Sequence, residues 1–536
     1  MNTVVSNFPE GFYSKSFLEL NLGNGNADLY PHLGTHVEMS NIHQNIQNFF
    51  DISKRIILRD VFLNQYQSVD LSPKQAENID LLLKNETFTI TTGQQIHVGL
   101  GPMYVWNKIV SVLNTVKVLS DQFPENHYVP IFWMASEDHD FDEIKHVHFL
   151  GKDYTWQTNQ TGAVGHFHTN EIDLIFQDIH DTLQLDETAK NRLREIQNIY
   201  KKSVDLSEAT RKLVQLVFGN TGLLVLDPND TELKVISRKI WIQDIINRGK
   251  KNPSGQSSLD LLNLHQKTLL DYGIEPQVYL REINCFCLDQ DVRERIEVTN
   301  NEYKRVQSGI TYSETEMKGI IENFPQKISP NVILRPIYQQ NILPNAVYIG
   351  GPAEIKYWMQ MSPLFDLHQV PCPRLQLRLS NQFLPKSVSK KISKLGLEPD
   401  NFWLNWADIA AKIEQNNADK YTFDDEIAHL EQNFEIIWQT LYSLQNKDLK
   451  QFKSTHIGIL KELKKVSREY KDNPETGIKL LKDLKTAEGL KTIFFNDQQP
   501  QERVLHWIEI FVLYGEISLD FIDDCREMVQ FLRIQE

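Results

Sequence analysis

Cysteine, long apolar runs and excess positive charge are all scarce in this chain of 536 residues. Its four cysteines form neither a CxxC pair nor a zinc-ligand spacing, which argues against a disulfide framework and favours a reducing compartment. No apolar stretch approaches the length of a membrane span, and Met1 to Pro9 lacks the pattern of an export signal. We therefore expect a soluble, cytoplasmic protein with no membrane partner.

The net charge is −15, and a protein that coats nucleic acid needs a basic face. We therefore expect small-molecule ligands and no nucleic acid. The length fits one large α/β domain with insertions, or two to four ordinary domains.

A glycine-rich loop follows the first strand-like segment, Phe88-Thr89-Ile90, and precedes a helical pattern from Pro102 to Leu119. The loop contains Gly93-Gln94-Gln95 and ends at Gly101. Backbone N–H groups at a helix N-terminus attract anions, so this loop is a candidate site for a phosphate or carboxylate. An ordinary glycine-rich turn explains the same spacing equally well.

A cluster of ionisable residues follows the next apolar run, Tyr128 to Phe132. It consists of Glu137, Asp138, His139 and Asp140. A histidine between carboxylates is suited to proton transfer or to metal binding, and we favour proton transfer and predict no metal ligands. The alternative is a solvated acidic helix start. The two segments together predict a βαβ unit, with both motifs at the carboxyl ends of parallel strands.

A third strand-like segment, Ala346 to Ile349, ends in Gly350-Gly351 and is followed by a helical pattern. Glu354, Tyr357 and Trp358 share one face of that predicted helix. Glycine permits close approach of a ligand to the backbone, which makes this a further candidate binding segment. A tight turn with Trp358 in the core is the alternative, and the repeat of a Gly-Pro pair at helix starts favours function.

Arginines flank this third motif. Arg335 follows the strand-like run Val332 to Leu334, and Arg378 precedes Ser380. Guanidinium groups bind carboxylates and phosphates through paired hydrogen bonds, so both arginines are candidate ligand clamps. Isolated arginines more often form surface ion pairs, so a role in binding requires that they converge on the glycine loops.

Strand-like and helical segments alternate through most of the chain, which predicts an α/β fold with a Rossmann-like parallel sheet. We expect a catalytic core over residues 1–410, with insertions at about 155–215 and 250–330. Helical patterns cover 186–218 and 230–247, and a strand-like run covers 223–226. The alternation of Cys285 and Cys287 also predicts a strand.

The C-terminal quarter carries a heptad pattern, without proline or glycine from Tyr421 to Ile457. Its apolar positions are Phe423, Ile427, Leu430, Phe434, Ile437, Leu441 and Leu444. The register breaks near 446–449, so either a helical hairpin turns there or one long helix stutters. We predict a coiled-coil dimerisation arm over 411–495, and residues 496–536 returning to the core; a helix packed on its own core is the alternative.

These motifs resemble the BshC family of bacillithiol biosynthesis. The resemblance rests on Thr92-Gly93-Gln94-Gln95, Trp133 with Glu137-Asp138-His139-Asp140, Gly351-Pro352 with Glu354 and Tyr357-Trp358, Arg378-Leu379-Ser380, and Gln501-Glu502-Arg503. It implies a Rossmann-like core, a coiled coil that forms a homodimer, and addition of cysteine to glucosaminyl malate. By analogy with related ligases it also implies ATP as the energy source, with Mg²⁺ as its accompanying ion.

One departure concerns the segment His97-Val98-Gly99-Leu100. Adenylating enzymes related to this family carry a second histidine where this chain has Leu100. The chain therefore lacks one imidazole that would steady a triphosphate.

The predicted mechanism is activation of the cysteine carboxylate followed by attack of the glucosamine amine. His139, oriented by Asp138 or Asp140, is the candidate general base. The Gly93 and Gly351 loops would hold phosphate or the malyl carboxylate, with Arg335 or Arg378 as the clamp. Two other functions fit the same residues: a non-catalytic nucleotide-binding scaffold with a coiled-coil partner site, and a metal-dependent hydrolase using Glu137 to His139.

Overall fold

The computed structural model describes residues 1–6, 38–248, 255–272, 274–289, 292–300, 302–421, 424–443, 449–471, 474–496, 499–525 and 531–536. The chain forms two compact units. The first contains the described residues up to Gln382 and from Glu502 onward, and the second contains those in Phe383–Gln501. The sequence prediction placed the end of the core at residue 410, whereas the first unit leaves off at Gln382.

The strands are β1 Asn2–Ser6, β2 Thr87–Gln94, β3 His127–Met134, β4 His146–Phe149, β5 Lys152–Thr155, β6 Leu224–Leu226, β7 Cys285–Asp289, β8 Val292–Thr299, β9 Glu302–Arg305, β10 Thr311–Tyr312, β11 Ile328–Pro330, β12 Asn345–Gly350, β13 Arg374–Leu377, β14 Ser380–Leu384, β15 Phe495–Asn496, β16 Gln499–Pro500 and β17 Phe531–Gln535.

The α-helices are α1 Met39–Phe49, α2 Ile52–Gln65, α3 Pro73–Leu81, α4 Met103–Gln122, α5 Phe141–Ile144, α6 Ile172–Thr182, α7 Glu187–Lys202, α8 Leu206–Phe218, α9 Thr231–Ile236, α10 Arg238–Trp241, α11 Ser258–Asp271, α12 Glu314–Asn323, α13 Arg335–Ile342, α14 Pro352–Gln360, α15 Ser362–His368, α16 Lys386–Lys394, α17 Trp406–Tyr421, α18 Asp424–Ser443, α19 Leu449–Lys471, α20 Pro474–Phe494, α21 Gln501–Val504, α22 Trp507–Tyr514 and α23 Phe521–Asp524. None of these described helices combines the length and apolar content needed to cross a bilayer.

The core of the first unit is a five-stranded parallel sheet with the strand order β13-β12-β2-β3-β6. Strand β2 is central and is buried along all but its last residue, as expected for a parallel strand covered on both faces. Its threonines suit this position because their hydroxyls find partners: the Thr92 hydroxyl donates to the Ile349 carbonyl of β12 at 2.7 Å. The predicted Rossmann-like α/β fold is confirmed.

The order of the strands reverses beside β2. The chain passes from β2 to β3 and β6 on one side, and later adds β12 and β13 on the other. In open α/β sheets a crevice forms at such a reversal, outside the carboxyl ends of the strands. Here those ends are Gly93-Gln94 of β2 and Gly350 of β12, which are the predicted glycine motifs.

A second sheet is inserted between β6 and β12. It is antiparallel, with the order β10-β9-β8-β7-β11. The predicted strand at Cys285 and Cys287 is β7, in which both cysteines are buried and Phe286, between them, points the other way. This placement brings Phe286 and the neighbouring β8 toward the crevice of the parallel sheet.

The predicted strand at Val332 to Leu334 is wrong. These residues form a turn that leads into α13, and the strand lies just before them at β11. The reason is Asn331, whose side-chain oxygen accepts hydrogen bonds from the backbone N–H groups of Ile333 at 2.8 Å and Leu334 at 3.1 Å. Local hydrogen bonds of this kind form a turn and end an extended segment.

Two segments predicted as continuous helical patterns each form more than one helix. The pattern over 186–218 is two helices, because Asp205 caps α8 by accepting a hydrogen bond from the Glu208 N–H at 2.8 Å. The pattern over 230–247 contains α9, α10 and a π-helical turn at Ile242–Ile246.

The second unit is built from helices around its own apolar core, which includes Leu384, Ile392, Phe402, Ile409 and Phe494. Helices α18 and α19 contact each other, with the Phe434 ring stacked on His456 and near Phe452. These contacts match the hairpin alternative for the heptad region. The turn itself, and Phe423 and Leu444 of the heptad pattern, lie outside the described residues.

Candidate active site

A cavity of about 500 Å³ lies at the carboxyl ends of β2, β3 and β12 in the first unit. Most of the predicted site residues line it: Gly93, Gln94, Gln95, Asp138, His139, Asp140, Arg335, Gly351, Glu354, Tyr357, Trp358 and Arg378. Four do not: Gly101, Glu137, Gly350 and Ser380. Residues from three separate sequence motifs, two rich in glycine and one acidic, therefore meet in one cavity.

Lys108 of α4 lines the cavity and was not predicted from the sequence. Its ammonium donates to the Gly93 carbonyl at 2.8 Å and to the Gln94 side-chain oxygen at 2.7 Å, and it lies 2.5 Å from a Glu354 carboxylate oxygen. Burial lowers the pKa of Lys108, and Glu354 opposes that shift. The lysine thus joins the β2 loop to the β12 loop across the reversal point of the sheet.

Several backbone groups of the glycine loops are engaged within the protein. Gly93 directs its carbonyl toward Lys108, and the Gly351 N–H donates to the Glu354 carboxylate at 2.7 Å. At the start of α4, the Met103 N–H donates to the Leu505 carbonyl at 2.8 Å. These contacts favour cationic side chains as the groups that would bind an anion in the cavity, and the anion-binding role of the loops stays a prediction.

Gly101 has a structural role. Its φ is +72°, and a Cβ added there would lie 2.8 Å from the His97 side chain. Its carbonyl accepts a hydrogen bond from the Trp507 N–H at 3.1 Å, which docks the C-terminal segment on the start of α4. Glycine is needed there because of the positive φ and the close approach of His97.

Arg378 lines the cavity, but its guanidinium is engaged by Glu502. Its two terminal nitrogens donate to the two carboxylate oxygens at 2.6 and 3.1 Å, and both side chains are almost completely buried. Ser380 lies in the same cluster, where its hydroxyl is 3.4 Å from Glu502, and the Gly350 carbonyl accepts from the Arg378 N–H at 2.9 Å. The clamp predicted for Arg378 is therefore an internal ion pair.

Arg503 follows Glu502 directly and lines the cavity. Its side chain is exposed, and within the part of the chain that the structure describes it makes no hydrogen bond or ion pair. The buried Glu502 fixes the segment through Arg378 and through Asn107, whose amide donates to it at 2.6 Å. The C-terminal segment thus places one cationic side chain at the cavity without committing it to a protein carboxylate.

Glu137 is directed away from the cavity. Its carboxylate forms an ion pair with Lys234, and both side chains are buried. The Lys234 ammonium also donates to the Ile328 carbonyl at 2.8 Å. This pair anchors the end of β3 to the inserted sheet, so Glu137 is separated from His139 and the predicted set of three does not converge.

Asp138 is held by two arginines. Arg335 pairs with its carboxylate through both terminal nitrogens, and the Arg293 guanidinium lies 3.8 Å away. Burial alone would raise the pKa of Asp138, but the two guanidinium groups outweigh it and the pKa is lowered. Its oxygens are therefore engaged by cations, which disfavours a role as a metal ligand.

The imidazole of His139 is oriented by Arg293 and not by a carboxylate. Arg293 donates to His139 Nδ1 at 3.1 Å, whereas Asp140 lies 4.0 Å from Nε2. Burial lowers the pKa of His139, and Arg293 lowers it further. The prediction that Asp138 or Asp140 orients the ring is wrong, because the inserted sheet supplies an arginine that the local sequence does not reveal.

Aromatic side chains form one wall of the cavity. Tyr348 stacks on Trp358 with ring centroids 4.0 Å apart, and its hydroxyl donates to Glu354 at 3.0 Å. Trp358 is only 3% exposed, as the alternative of a core position requires, and it also lines the cavity. Tyr357 lines the same wall, and burial raises its pKa.

His97 lies behind the cavity wall. Its Nε2 is 3.3 Å from the Gln94 amide and 3.4 Å from the Tyr104 hydroxyl, both of which belong to cavity residues. Burial, with a smaller effect of Lys108, lowers the pKa of His97 to about 4. This neutral histidine supports Gln94 and Tyr104 from behind.

Several cavity residues were not predicted from the sequence: Tyr104, Lys108, Phe286, Arg293, Asn331, Gln339 and Tyr348. A signal existed for Lys108, since it is a lone charge within an apolar helical stretch. Arg293 and Phe286 gave no such signal, because their approach depends on how the inserted sheet packs. No group of three His, Cys, Asp or Glu side chains suited to hold a metal was found among the described residues.

The reversal-point crevice, with its charged and aromatic lining, defines an α/β enzyme of the Rossmann-like class. A family model described as "Bacillithiol biosynthesis BshC, N-terminal Rossmann-like domain" matches residues 30–379. The chain belongs to this BshC family.

Relatives along most of the chain agree with this. A protein of Flavobacterium psychrophilum is 36% identical over 90% of this chain and 89% of its own, and one of Flavobacterium johnsoniae is 31% identical over 96% and 95%. A more distant relative in Staphylococcus carnosus is 28% identical over 64% of each chain. All three are named "Putative cysteine ligase BshC".

Proposed function

We propose that this protein joins cysteine to glucosaminyl malate through an amide bond, the last step of bacillithiol biosynthesis. The observation that carries the proposal is the convergence of the family's motifs on one cavity of about 500 Å³. That volume suits small metabolites, and the names of the relatives point to cysteine as the amino acid that is added.

The charges of the cavity support substrates that carry carboxylates. Lys108 is neutralised by Glu354, and Arg378 by Glu502, while Arg335 shares Asp138 with Arg293. Arg503 is then the cation with the most capacity for a ligand, so we assign to it a carboxylate or phosphate group of the substrates. Arg335, which is partly exposed, is the second candidate, as predicted from the sequence.

We further propose that ATP drives the reaction, accompanied by Mg²⁺. When bound, ATP would supply the free energy by activating the cysteine carboxylate. Because the Gly351 N–H is engaged by Glu354 and the Met103 N–H by the Leu505 carbonyl, Arg503 and Arg335 are the residues that would hold its phosphates.

A homodimer formed through α18 and α19, acting in the cytoplasm, completes the proposal. Of the heptad positions, Leu430 is 40% exposed and Ile437 is 44% exposed in the single chain. Apolar side chains left open along one face of a helical hairpin suit a second copy of that hairpin.

A thiol profile of cells that lack the gene tests this function. The proposal predicts loss of bacillithiol together with accumulation of glucosaminyl malate. The wild-type gene, when put back, should reverse both changes. An unchanged profile would contradict it. Accumulation of glucosamine conjugates that precede malate addition would place the protein at another step and would also count against it.

A further inference from the structure

Arg293 occupies an unusual position for an arginine, because it donates to the ring nitrogen of a histidine. Its other nitrogens are fixed by the inserted sheet: Nε donates to the Ser329 hydroxyl at 3.0 Å, and Nη2 donates to the Pro330 carbonyl at 2.8 Å. The guanidinium also lies 4.0 Å from the centroid of the Phe286 ring. The side chain is almost fully buried and has no freedom to turn away from His139.

This contact decides where the proton of His139 resides. A guanidinium has only donors and stays protonated in proteins, so the Nδ1 atom that faces it must be an acceptor. An imidazole with an unprotonated Nδ1 is neutral and carries its single proton on Nε2. Protonation of Nδ1 would set two N–H groups against each other at 3.1 Å.

We propose that Arg293 holds His139 as the neutral Nε2–H tautomer, and that His139 serves the reaction as a hydrogen-bond donor to a carboxyl or carbonyl oxygen of the substrate. A general base needs an unprotonated nitrogen that the substrate can reach. In His139 that nitrogen is covered by Arg293, and the nitrogen left for a ligand already carries a proton. Arg293 is a positioning residue, since it acts through His139.

The charged surroundings suit a ligand oxygen beside Nε2. Arg293 and Arg295 of β8 act electrostatically on His139, and Arg293 and Arg335 of α13 act on Asp138. Three guanidinium groups thus act against two carboxylates, one of which, Asp138, is already paired. Asp140 is largely exposed, with 61% of its side chain accessible, and it can turn into water when a ligand enters. Neutral imidazoles are used elsewhere as donors to oxygens that gain charge in a reaction.

Substitutions at His139 distinguish a role as hydrogen-bond donor from a role as general base. Gln places an amide N–H near the position of Nε2, whereas Asn places it near Nδ1. We expect His139→Gln to keep cysteine addition within about tenfold of the wild type, and His139→Asn and His139→Ala to lose about 10²–10³-fold, as when an oxyanion donor is removed. Equal loss in the Gln and Ala variants would overturn the donor role.

Nuclear magnetic resonance of the wild-type protein with ring-¹⁵N histidine tests the tautomer without any turnover. The His139 signals are those absent from His139→Gln, and we expect an unprotonated Nδ1 and a protonated Nε2 at pH 7. In Arg293→Met the pKa of His139 should rise, because a neighbouring cation that lowers it is gone. A protonated Nδ1 in the wild type would overturn the proposal. The substitution series rests on the proposed function, and failure of that function would show as no turnover in the wild type while the resonance result stands.

Discussion

Lys108 and Glu354 form an ion pair, 2.5 Å between Nζ and Oε2, that ties the helix after β2 to the helix after β12. The pair lies where the order of the strands reverses, and the carboxylate also accepts hydrogen bonds from the Gly351 N–H and the Tyr348 hydroxyl. Two loops that belong to distant parts of the sequence are thereby fixed relative to each other at the floor of the cavity.

Loss of the lysine should leave Glu354 as a largely buried, uncompensated charge. We predict that Lys108→Met lowers the free energy of unfolding by about 3–5 kcal/mol, as for other buried pairs that lose one partner. Adding Glu354→Gln should restore part of it, because the remaining charge is then gone. Chemical denaturation followed by tryptophan fluorescence measures both. Lys117→Met, on the same helix but at its surface, is the control and should change little.

Arg503 should bind substrate and contribute little to folding. We predict that Arg503→Gln raises the KM for glucosaminyl malate about ten- to a hundredfold, the effect of one charge-assisted hydrogen bond, with unchanged thermal stability. Arg378→Gln is the matched control, since it leaves Glu502 buried and unpaired. It should lower the thermal stability. The assignment fails if Arg503→Gln leaves KM unaltered.

The helical hairpin of the second unit should form the dimer contact. We predict that Leu430→Glu combined with Ile437→Glu yields a monomer at micromolar concentration, because two charges then interrupt the exposed apolar positions. Light scattering measures the mass. Gln432→Glu, on the same helix but off the heptad positions, should leave the dimer intact. A wild-type monomer would contradict the proposal.

Acid should destabilise the protein through buried neutral histidines such as His97. Burial lowers the pKa of His97 from its ordinary value of 6.5 to about 4. Between pH 6.5 and pH 4 the unfolded chain therefore binds a proton at this residue, and the folded chain does not. Stability is therefore lost as the pH falls through this window, by about 2 kcal/mol for this group between pH 7 and pH 5. His97→Gln should flatten the pH dependence of denaturation by that amount. A slope unchanged by His97→Gln would contradict this role of the buried imidazole.

The sequence revealed those parts of the site whose signals are local. Strand, glycine loop and helix are adjacent around Gly93 and again around Gly351, and parallel pairing then brings their ends together. The acidic cluster at Asp138 to Asp140 follows β3, which pairs beside β2. A reader of the sequence can therefore expect these three segments at one edge of the sheet.

The side chains that contact these residues could not be predicted from local sequence patterns. Arg293 lies in a strand where charged residues alternate, and nothing local shows that it, and not Arg295, turns toward His139. Glu502 reaches Arg378 from the far end of the chain. Both pairings arise from packing between distant segments. They change the interpretation of the site, since Arg378 becomes an internal ion pair and His139 a neutral ring with its Nδ1 covered.

The central claim, that this cavity joins cysteine to glucosaminyl malate, is tested most directly by the purified protein. Incubated with cysteine, glucosaminyl malate and ATP with Mg²⁺, the wild type should form bacillithiol, measured by mass spectrometry after thiol labelling, with equimolar loss of both substrates. His139→Ala should form at least about a hundredfold less. Binding of nucleotide by a folded, dimeric wild type with no consumption of either substrate would contradict the account.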